Sequence, residues 1–408
     1  MGVERRDSIK RSARVAQPSH AREEAMATTK PFVISKRYVF EAYRLVKANA
    51  GCAGVDRQSI AAFEEDLKGN LYKLWNRISS GSYMPPPVEA VSIPKRDGRE
   101  RILGVPTVSD RIAQMVVKFE FETAVEPHFL PDSYGYRPGK SALDAIGVTR
   151  KRCWNYDWVI EFDIKGLFDN ISHDLLMKAV EKHTDAAWVR LYIKRWLTAS
   201  MQLPDGTVQA RDKGTPQGGV ISPILSNLFL HYVFDKWLQK HFPHIVWCRY
   251  ADDGLLHCQS EAQAHFLLKM IRQRFEKCGL ELHPVKTKIV YCKDGRRQGD
   301  YANTSFDFLG YSFRCRGCWV ESQKQMMLGF TPAVSRGALK VMRSKIRQSR
   351  LRSRTDLSLE EIAEWLNPVV RGWLSYYGAY TRSGMYAVLR HVNRALVRWA
   401  MRKYKALR

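Results

Sequence analysis

The sequence contains no uncharged stretch suited to cross a membrane. Its longest, Gly214 to Phe234, is broken by Pro216, Gln217, Pro223, Asn227 and His231. No apolar segment follows Met1, so no secretory signal is evident. Cysteine is sparse and unpatterned: eight are scattered through 408 residues without framework spacing, which argues for free thiols in a reducing, cytoplasmic compartment. Cys315-x-x-Cys318 is a lone pair with no second pair at zinc-finger spacing, so no structural metal is expected there. Acidic residues are also in short supply. Against 66 Lys and Arg stand 41 Asp and Glu, a formal net charge of +25, which favours a polyanionic partner, most often nucleic acid. Residues 1–30 mix Arg, Lys, Glu, Ser and Ala with few large apolar groups and read as a flexible basic extension.

In so basic a chain, clustered carboxylates are informative. Ile245 to Cys258 places two apolar arms around Asp252-Asp253-Gly254, the pattern of a β-hairpin whose tip projects adjacent carboxylates, with the turn chemistry assigned to Asp-Asp-Gly. Side by side, such groups raise each other's pKa and resist joint ionisation unless a cation compensates. Alone, an Asp-Asp pair is more readily a solvated acidic turn. A third acid changes that weighing. In Asp157–Ile164, alternation sets Val159, Glu161 and Asp163 on one face and Ile160, Phe162 and Ile164 on the other, as in a strand lying on helices with one side open. A strand ending in Asp beside such a hairpin can hold two Mg²⁺ ions roughly 3.5–4 Å apart, the spacing used for in-line displacement at phosphorus.

Tyr250-Ala251-Asp252-Asp253, taken with Phe162-Asp163-Ile164-Lys165-Gly166-Leu167-Phe168-Asp169, resembles the catalytic pair of motifs in reverse transcriptases, in the form typical of group II intron proteins. The resemblance runs from about Gly51 to the C-terminus with the motifs in the family's order. Gly51 to Asp56 resembles the N-terminal extension motif, with Arg57 where glycine is common. Val91 to Gly104 reads as a hairpin around Asp97-Gly98. Lys95 and Arg101, brought together across it, form either a solvated basic patch or a triphosphate clamp, and likeness to the family's fingers hairpin favours the clamp. Ser133 to Ala142 resembles a template-side loop whose Arg137 and Lys140 meet phosphates. Phe168 alone reads as an ordinary core side chain; by resemblance it falls where the family sets an aromatic ring beneath the incoming sugar, excluding a 2′-hydroxyl. Gln217, in Gly214–Pro223, falls in the nucleotide-pocket motif, ahead of an apolar helix from Ile224 to Leu238. Lys286, in Leu282–Lys288, is either a solvated lysine or, as the resemblance to the next family motif implies, the lysine that protonates the leaving pyrophosphate, and Phe306 to Tyr311 resembles the primer grip.

From Thr331 to Arg408 the chain holds 17 Lys and Arg against 4 Asp and Glu. Three helices are expected there. The second has an apolar stripe of Ile362, Leu366, Val369 and Trp373, the third one of Met385, Leu389, Val392, Leu396 and Trp399. The third also carries Arg390, Arg394, Arg398 and Arg402 at four-residue steps, like charges that destabilise a helix unless a polyanion is present. Leu366 to Gly378 resembles the family's thumb and maturase domain.

The resemblance implies an α+β right-hand polymerase: an N-terminal extension at 1–30, fingers at 31–155, palm at 156–320 around an antiparallel sheet, and an all-helical thumb/maturase domain at 321–408. It implies catalytic Asp163, Asp252 and Asp253, with Ile164 beside them among the metal-binding positions, and two Mg²⁺ ions, or Mn²⁺ in their place. The implied partners are group II intron RNA, an RNA template with a DNA primer, and deoxynucleoside triphosphates, with no membrane. The chain stops at Arg408 without the DNA-binding and endonuclease regions of many members, so mobility would draw on a primer made elsewhere, such as a nascent strand at a replication fork. Two alternatives stay open: a reverse transcriptase recruited to host defence or DNA repair, and a splicing factor that only binds RNA, for which the three carboxylates would be superfluous.

Overall fold

The computed structural model describes residues 30–94, 100–320 and 324–407; residues 1–29 of the expected extension, and Lys95, lie outside them. In chain order the elements are α1 (Lys36–Ala48), α2 (Ile60–Glu64), α3 (Leu67–Ser79), β1 (Val88–Pro94), β2 (Glu100–Val105), α4 (Val108–Val125), α5 (Ala142–Asn155), β3 (Trp158–Asp163), α6 (Leu167–Asn170), α7 (His173–His183), α8 (Ala187–Thr198), β4 (Met201–Gln202) and β5 (Val208–Gln209). Next, α9 (Ser222–Leu230) runs through a π turn (His231–Asp235) into α10 (Lys236–His241), followed by β6 (Val246–Tyr250), β7 (Asp253–Cys258), α11 (Glu261–Lys277), β8 (Lys288–Tyr291), β9 (Ser305–Phe308), β10 (Tyr311–Val320), β11 (Gln325–Val334), α12 (Arg336–Gln348), α13 (Leu359–Tyr377) and α14 (Tyr386–Lys403). The class is α+β, as expected. Among the described residues, no helix is long and apolar enough to cross a membrane.

The chain folds as two compact units. One holds the described residues through Glu120 with Ala186–Ala210 and Gly218–Val220. Its sheet has the order β2-β1-β4-β5, and the β1–β2 register sets Arg101 opposite Ile93. A buried carboxylate ties the unit together. Asp110 accepts hydrogen bonds from Tyr83 Oη (2.8 Å), Trp196 Nε1 (2.7 Å) and Gln114 Nε2 (2.9 Å), so one side chain joins α4, α8 and the segment leading to β1. On α1 the buried face is Val39, Ala42, Tyr43 and Val46, while Tyr38 and Leu45, which fit the same spacing, are exposed. Arg57 itself adopts the left-handed conformation that favours glycine, with φ +57°, and its Nη1 donates to Glu89 (2.7 Å).

The second unit holds Phe121–Asp185, Arg211–Gln217 and Ile221–Arg408. Its central antiparallel sheet has the order β6-β7-β3-β8. On one face of β3, Phe162 packs on Phe234 and Phe275 at ring separations of 5.1 and 5.9 Å. Gly254 lies directly beneath Phe162; a Cβ there would fall inside the ring, so this glycine serves packing and not the turn. The opposite face is less open than alternation suggests. Val159 is buried with Leu255, Val290, Phe306 and Phe313, because the β11-β10-β9 sheet covers that end, and only the Glu161 and Asp163 end is left uncovered.

Strand β11 pairs along its whole length with β10. The all-helical region therefore begins at Arg336 and not at 321, and a boundary at 320 would cut a hairpin. The apolar stripes of the three C-terminal helices meet as expected: Ile362 and Leu366 of α13 and Val392 and Trp399 of α14 join Ile346 of α12 in one core. Tyr376 Oη donates to Leu309 O (2.9 Å), tying α13 to the β9–β10 turn, and Tyr380 Oη donates to Leu143 O (2.7 Å), tying the segment after α13 to the first turn of α5. The expected helix from Ile224 to Leu238 is not uniform, since a π turn interrupts it at His231–Asp235.

Candidate active site

Strand pairing alone brings the first two carboxylates together: in the β3–β7 register Asp163 lies directly opposite Asp253. The β6–β7 connection is tighter than Asp-Asp-Gly suggests. Tyr250 pairs with Asp253, leaving Ala251 and Asp252 as the two turn residues, and Ala251, with φ +55°, takes the left-handed position. Such a backbone is costly for a residue with a Cβ and persists only where the surroundings impose it.

Arg249 supplies that imposition. It is completely buried, and all five of its N–H groups are used. Nε and Nη2 donate to Asp235 (2.9 and 2.6 Å), Nη1 to Asn227 Oδ1 (3.0 Å) and to the carbonyl of Ala251 (3.1 Å), and Nη2 also to Ser133 Oγ (2.9 Å). The π turn is what brings Asp235 under the hairpin. Burial alone would push the Asp235 carboxyl up, but the Arg249 guanidinium more than reverses this and holds it below its ordinary range. The loop at 132–137 closes the other side. Arg249 N donates to Asp132 O (3.0 Å), Tyr134 N to Arg249 O (2.8 Å), and Gly135 lies so close that a Cβ would collide with Ala251 N.

A cavity of about 360 Å³ opens over this floor, lined by Glu161, Asp163, Asp253, Lys286, Lys288 and Asp307 among others. Burial first, then Asp252 and Asp163, push Asp253 up to about 7. Glu161 is likewise pushed up to about 7 by burial, against the pull of Lys288 at 3.2 Å. Asp163 pairs with the Lys286 ammonium. Burial disfavours charge on Lys286, but Asp163, Asp253 and Asp252 outweigh it and raise its pKa.

The donor set fits a hard divalent cation. No three acidic, histidine or cysteine groups among the described residues converge into a ready cage. Mg²⁺ does not need one, since it keeps several waters and is held by one or two carboxylates plus substrate phosphates. The crowded negative charge, already drawing in one ammonium, is the condition such an ion relieves.

The sequence matches the family model described as reverse transcriptase (RNA-dependent DNA polymerase) over residues 93–313, and the maturase-specific domain of group II introns over 339–408. The chain belongs to the reverse transcriptase family. Among its relatives, the protein YkfC of Escherichia coli K12 is 32% identical over 325 residues, covering 68% of this chain and 81% of that one. The group II intron-encoded protein LtrA of Lactococcus lactis is 28% identical over 260 residues, 61% of this chain but only 42% of its own length. A putative COX1/OXI3 intron 1 protein of Saccharomyces cerevisiae is 35% identical over 172 residues, 42% of this chain and 20% of that one.

Other expected site residues of this reverse transcriptase fall in different settings. Thr215 N donates to Phe168 O (2.7 Å), and a Cβ on Gly214 would lie 2.6 Å from that carbonyl, so the loop bearing half-buried Gln217 is clasped to the short helix of Phe168. Ile164 is buried beside Leu282. Lys140 is half-buried, its Nζ on Pro131 O (3.0 Å). Arg137 makes four internal donor contacts, two to Glu126 (2.9 and 2.7 Å) and one each to Leu130 O (2.7 Å) and Ser133 O (2.8 Å). With a side chain 7% exposed, it braces the loop under the Asp-Asp turn. Lys286 is found on Asp163.

Sequence reasoning missed several residues. Glu161 was legible as a face-mate of Asp163, yet only burial marks it as unusual. Beside the cavity, sharing Lys288 and Asp307 with it, runs a groove of about 740 Å³ lined by Arg314, Arg316 and Arg336. Arg316 Nε and Nη1 are buried and find no acceptor among the described residues, and burial, then Arg314, lower its pKa to about 10. Arg390, Arg394, Arg398 and Arg402 are exposed along α14. Burial first, and then Arg343, Arg347, Arg394 and Arg398, lower the His391 pKa, so α12 adds two arginines to that patch.

Proposed function

We propose that this reverse transcriptase extends a DNA primer on an RNA template, with the β3 and β6–β7 carboxylates as its metal-binding centre. The carrying observation is the opposition of Asp163 and Asp253 in register beside Asp252, which raises the Asp253 pKa in a cavity large enough for a nucleotide. When bound, Mg²⁺ would neutralise these groups and stabilise the charge that develops at the transferred phosphorus. Asp163 and Asp252 carry most of the metal binding, Asp253 supports them, and Ile164 stands beside them. The chain's own residues do the rest. Arg249 holds the turn rigid, Lys286 exchanges Asp163 for the leaving pyrophosphate, and Phe168, fixed by the 214–217 loop, forms the floor under the sugar. Gln217 contacts the nucleotide or the template strand, Arg101 with Lys95 meets the triphosphate, and Lys140 meets a template phosphate. The primer strand runs in the groove of Arg314, Arg316 and Arg336, where a phosphate oxygen would accept the two orphaned Arg316 donors.

We further propose fingers through about residue 155, a palm extending through the β10–β11 hairpin, and a thumb/maturase region of α12–α14. The arginine patch on α14 and α12 binds intron RNA and thereby assists splicing. The direct test is extension of a DNA primer on an RNA template with deoxynucleotides. Product should form with Mg²⁺ and vanish with excess chelator. Extension that persists without any divalent ion would contradict the reading.

A further inference from the structure

The reverse face of the catalytic sheet carries a second basic recess. Because Phe162 points onto Phe234 and Phe275, the π turn and α11 cover the side of the sheet opposite Asp163 and Asp253. Where those two elements meet α7, the surface opens into a cavity of about 380 Å³. Its floor includes Phe229, Ala179 and Cys278, all buried, and its lining holds Lys178, Lys182, Lys277 and Arg274 with no carboxylate. Arg274 is committed to the fold: Nε donates to Val233 O (2.9 Å) and Nη2 to Tyr232 O (3.1 Å), which ties α11 to the π turn. The lysines are not so committed. Lys182 sits over the Tyr232 ring at 5.1 Å, and none of the three has a carboxylate partner among the described residues.

Lys182 and Lys277 stand in the last turns of α7 and α11, where the negative end of the helix favours a cation. That preference does not account for Lys178, one turn earlier on the same face of α7, or for convergence on one recess from two helices. Size and charge select the occupant. A cavity of this volume admits one or two nucleotides and is too short for a peptide helix. Three ammonium groups without carboxylates suit consecutive phosphates. We propose that this recess binds the phosphodiester backbone of a single-stranded RNA segment, apart from the polymerase groove. The proposal rests on the chain's acting on RNA.

The test fills the polymerase groove with a non-extendable RNA–DNA primer-template and titrates a fluorescein-labelled oligouridylate containing 4-thiouridine across a range of salt. In the Lys178→Gln, Lys182→Gln, Lys277→Gln triple variant, affinity should fall roughly tenfold and the slope of log affinity against log salt should shrink by about 2, at ~0.7 per charge removed. Extension of a short primer-template and the melting temperature should stay as in the wild type, and wild-type photocrosslinks should fall within residues 175–182 or 270–278. Unchanged affinity and slope, with crosslinks elsewhere, would overturn the proposal. So would a parallel loss of extension, which would make the recess part of the polymerase path, or retention of a polyglutamate probe in place of the RNA. If the wild type extends no primer at all, the catalytic reading fails, while oligouridylate binding still decides this one.

Discussion

Arg249 shows how a single buried residue can hold a turn that carries two carboxylates. Its five donors are divided among Asp235, Asn227, Ser133 and the Ala251 carbonyl, so the left-handed Ala251 and the carboxylates after it are fixed from below. Removing one partner strands a buried charge, which costs about 3–5 kcal/mol. Asp235→Leu should therefore lose that much in urea unfolding, whereas Arg249→Met with Asp235→Leu should recover most of the stability yet still extend primers poorly, since the Ala251 carbonyl has lost its donor. A double variant with full activity would make the pair a packing device only. Phe168 offers a second residue-level test. Phe168→Ala should raise ribonucleotide use relative to deoxynucleotide use while metal dependence is unchanged; unaltered discrimination would return Phe168 to the core. Neither Arg249's role nor Arg137's could be read from sequence. Buried arginines look like surface arginines until their partners are known, and Ser133 is 116 residues away from Arg249.

Elements were more legible than residues. Alternation in Trp158–Asp163, two apolar arms at Val246–Cys258, and apolar stripes on α13 and α14 were sufficient because period and burial agree there. Where burial is two-sided or a backbone special intervenes, pattern fails. Val159 lies under a second sheet that only tertiary structure supplies, the sequence of β11 contains Gly329 and Pro332 although the strand itself is continuous, and the π turn ends at Asp235, which pairs with Arg249. The α14 stripe carries the prediction at this scale. Arg394→Ala with Arg398→Ala should weaken intron RNA binding and flatten the salt dependence by between about one and two units, at ~0.7–0.9 per arginine. Extension on a short primer-template should suffer less; equal loss in both assays would assign the stripe to the primer-template duplex.

At the scale of the whole molecule, net charge pointed to a polyanion and motif order to the polymerase, while pH behaviour follows from groups that sequence cannot rank. His257 is fully buried, and burial, with Arg152 adding to it, lowers its pKa to about 3. The unfolded chain binds this proton below about pH 6.5 and the folded chain does not, so the contribution of His257 to stability declines as pH falls from there toward 3. Glu161 and Asp253, raised to about 7, act with the opposite sign, gaining protons in the folded state first. Comparison with His257→Leu isolates the histidine. Between pH 6 and 4 the wild type should lose about 1.4 kcal/mol per pH unit relative to the variant, and parallel curves would show that His257 does not govern acid stability.

The proposed metal centre of this RNA-directed DNA polymerase is Asp163, Asp252 and Asp253. Its most direct measurement is single-turnover extension of a DNA primer on an RNA template by Asp252→Asn, with circular dichroism and melting temperature confirming the fold. The rate should be lower by several orders of magnitude, with primer-template affinity retained, because metal positioning supplies most of the catalysis in phosphoryl transfer. A folded Asp252→Asn protein that extends primers at the wild-type rate would contradict it.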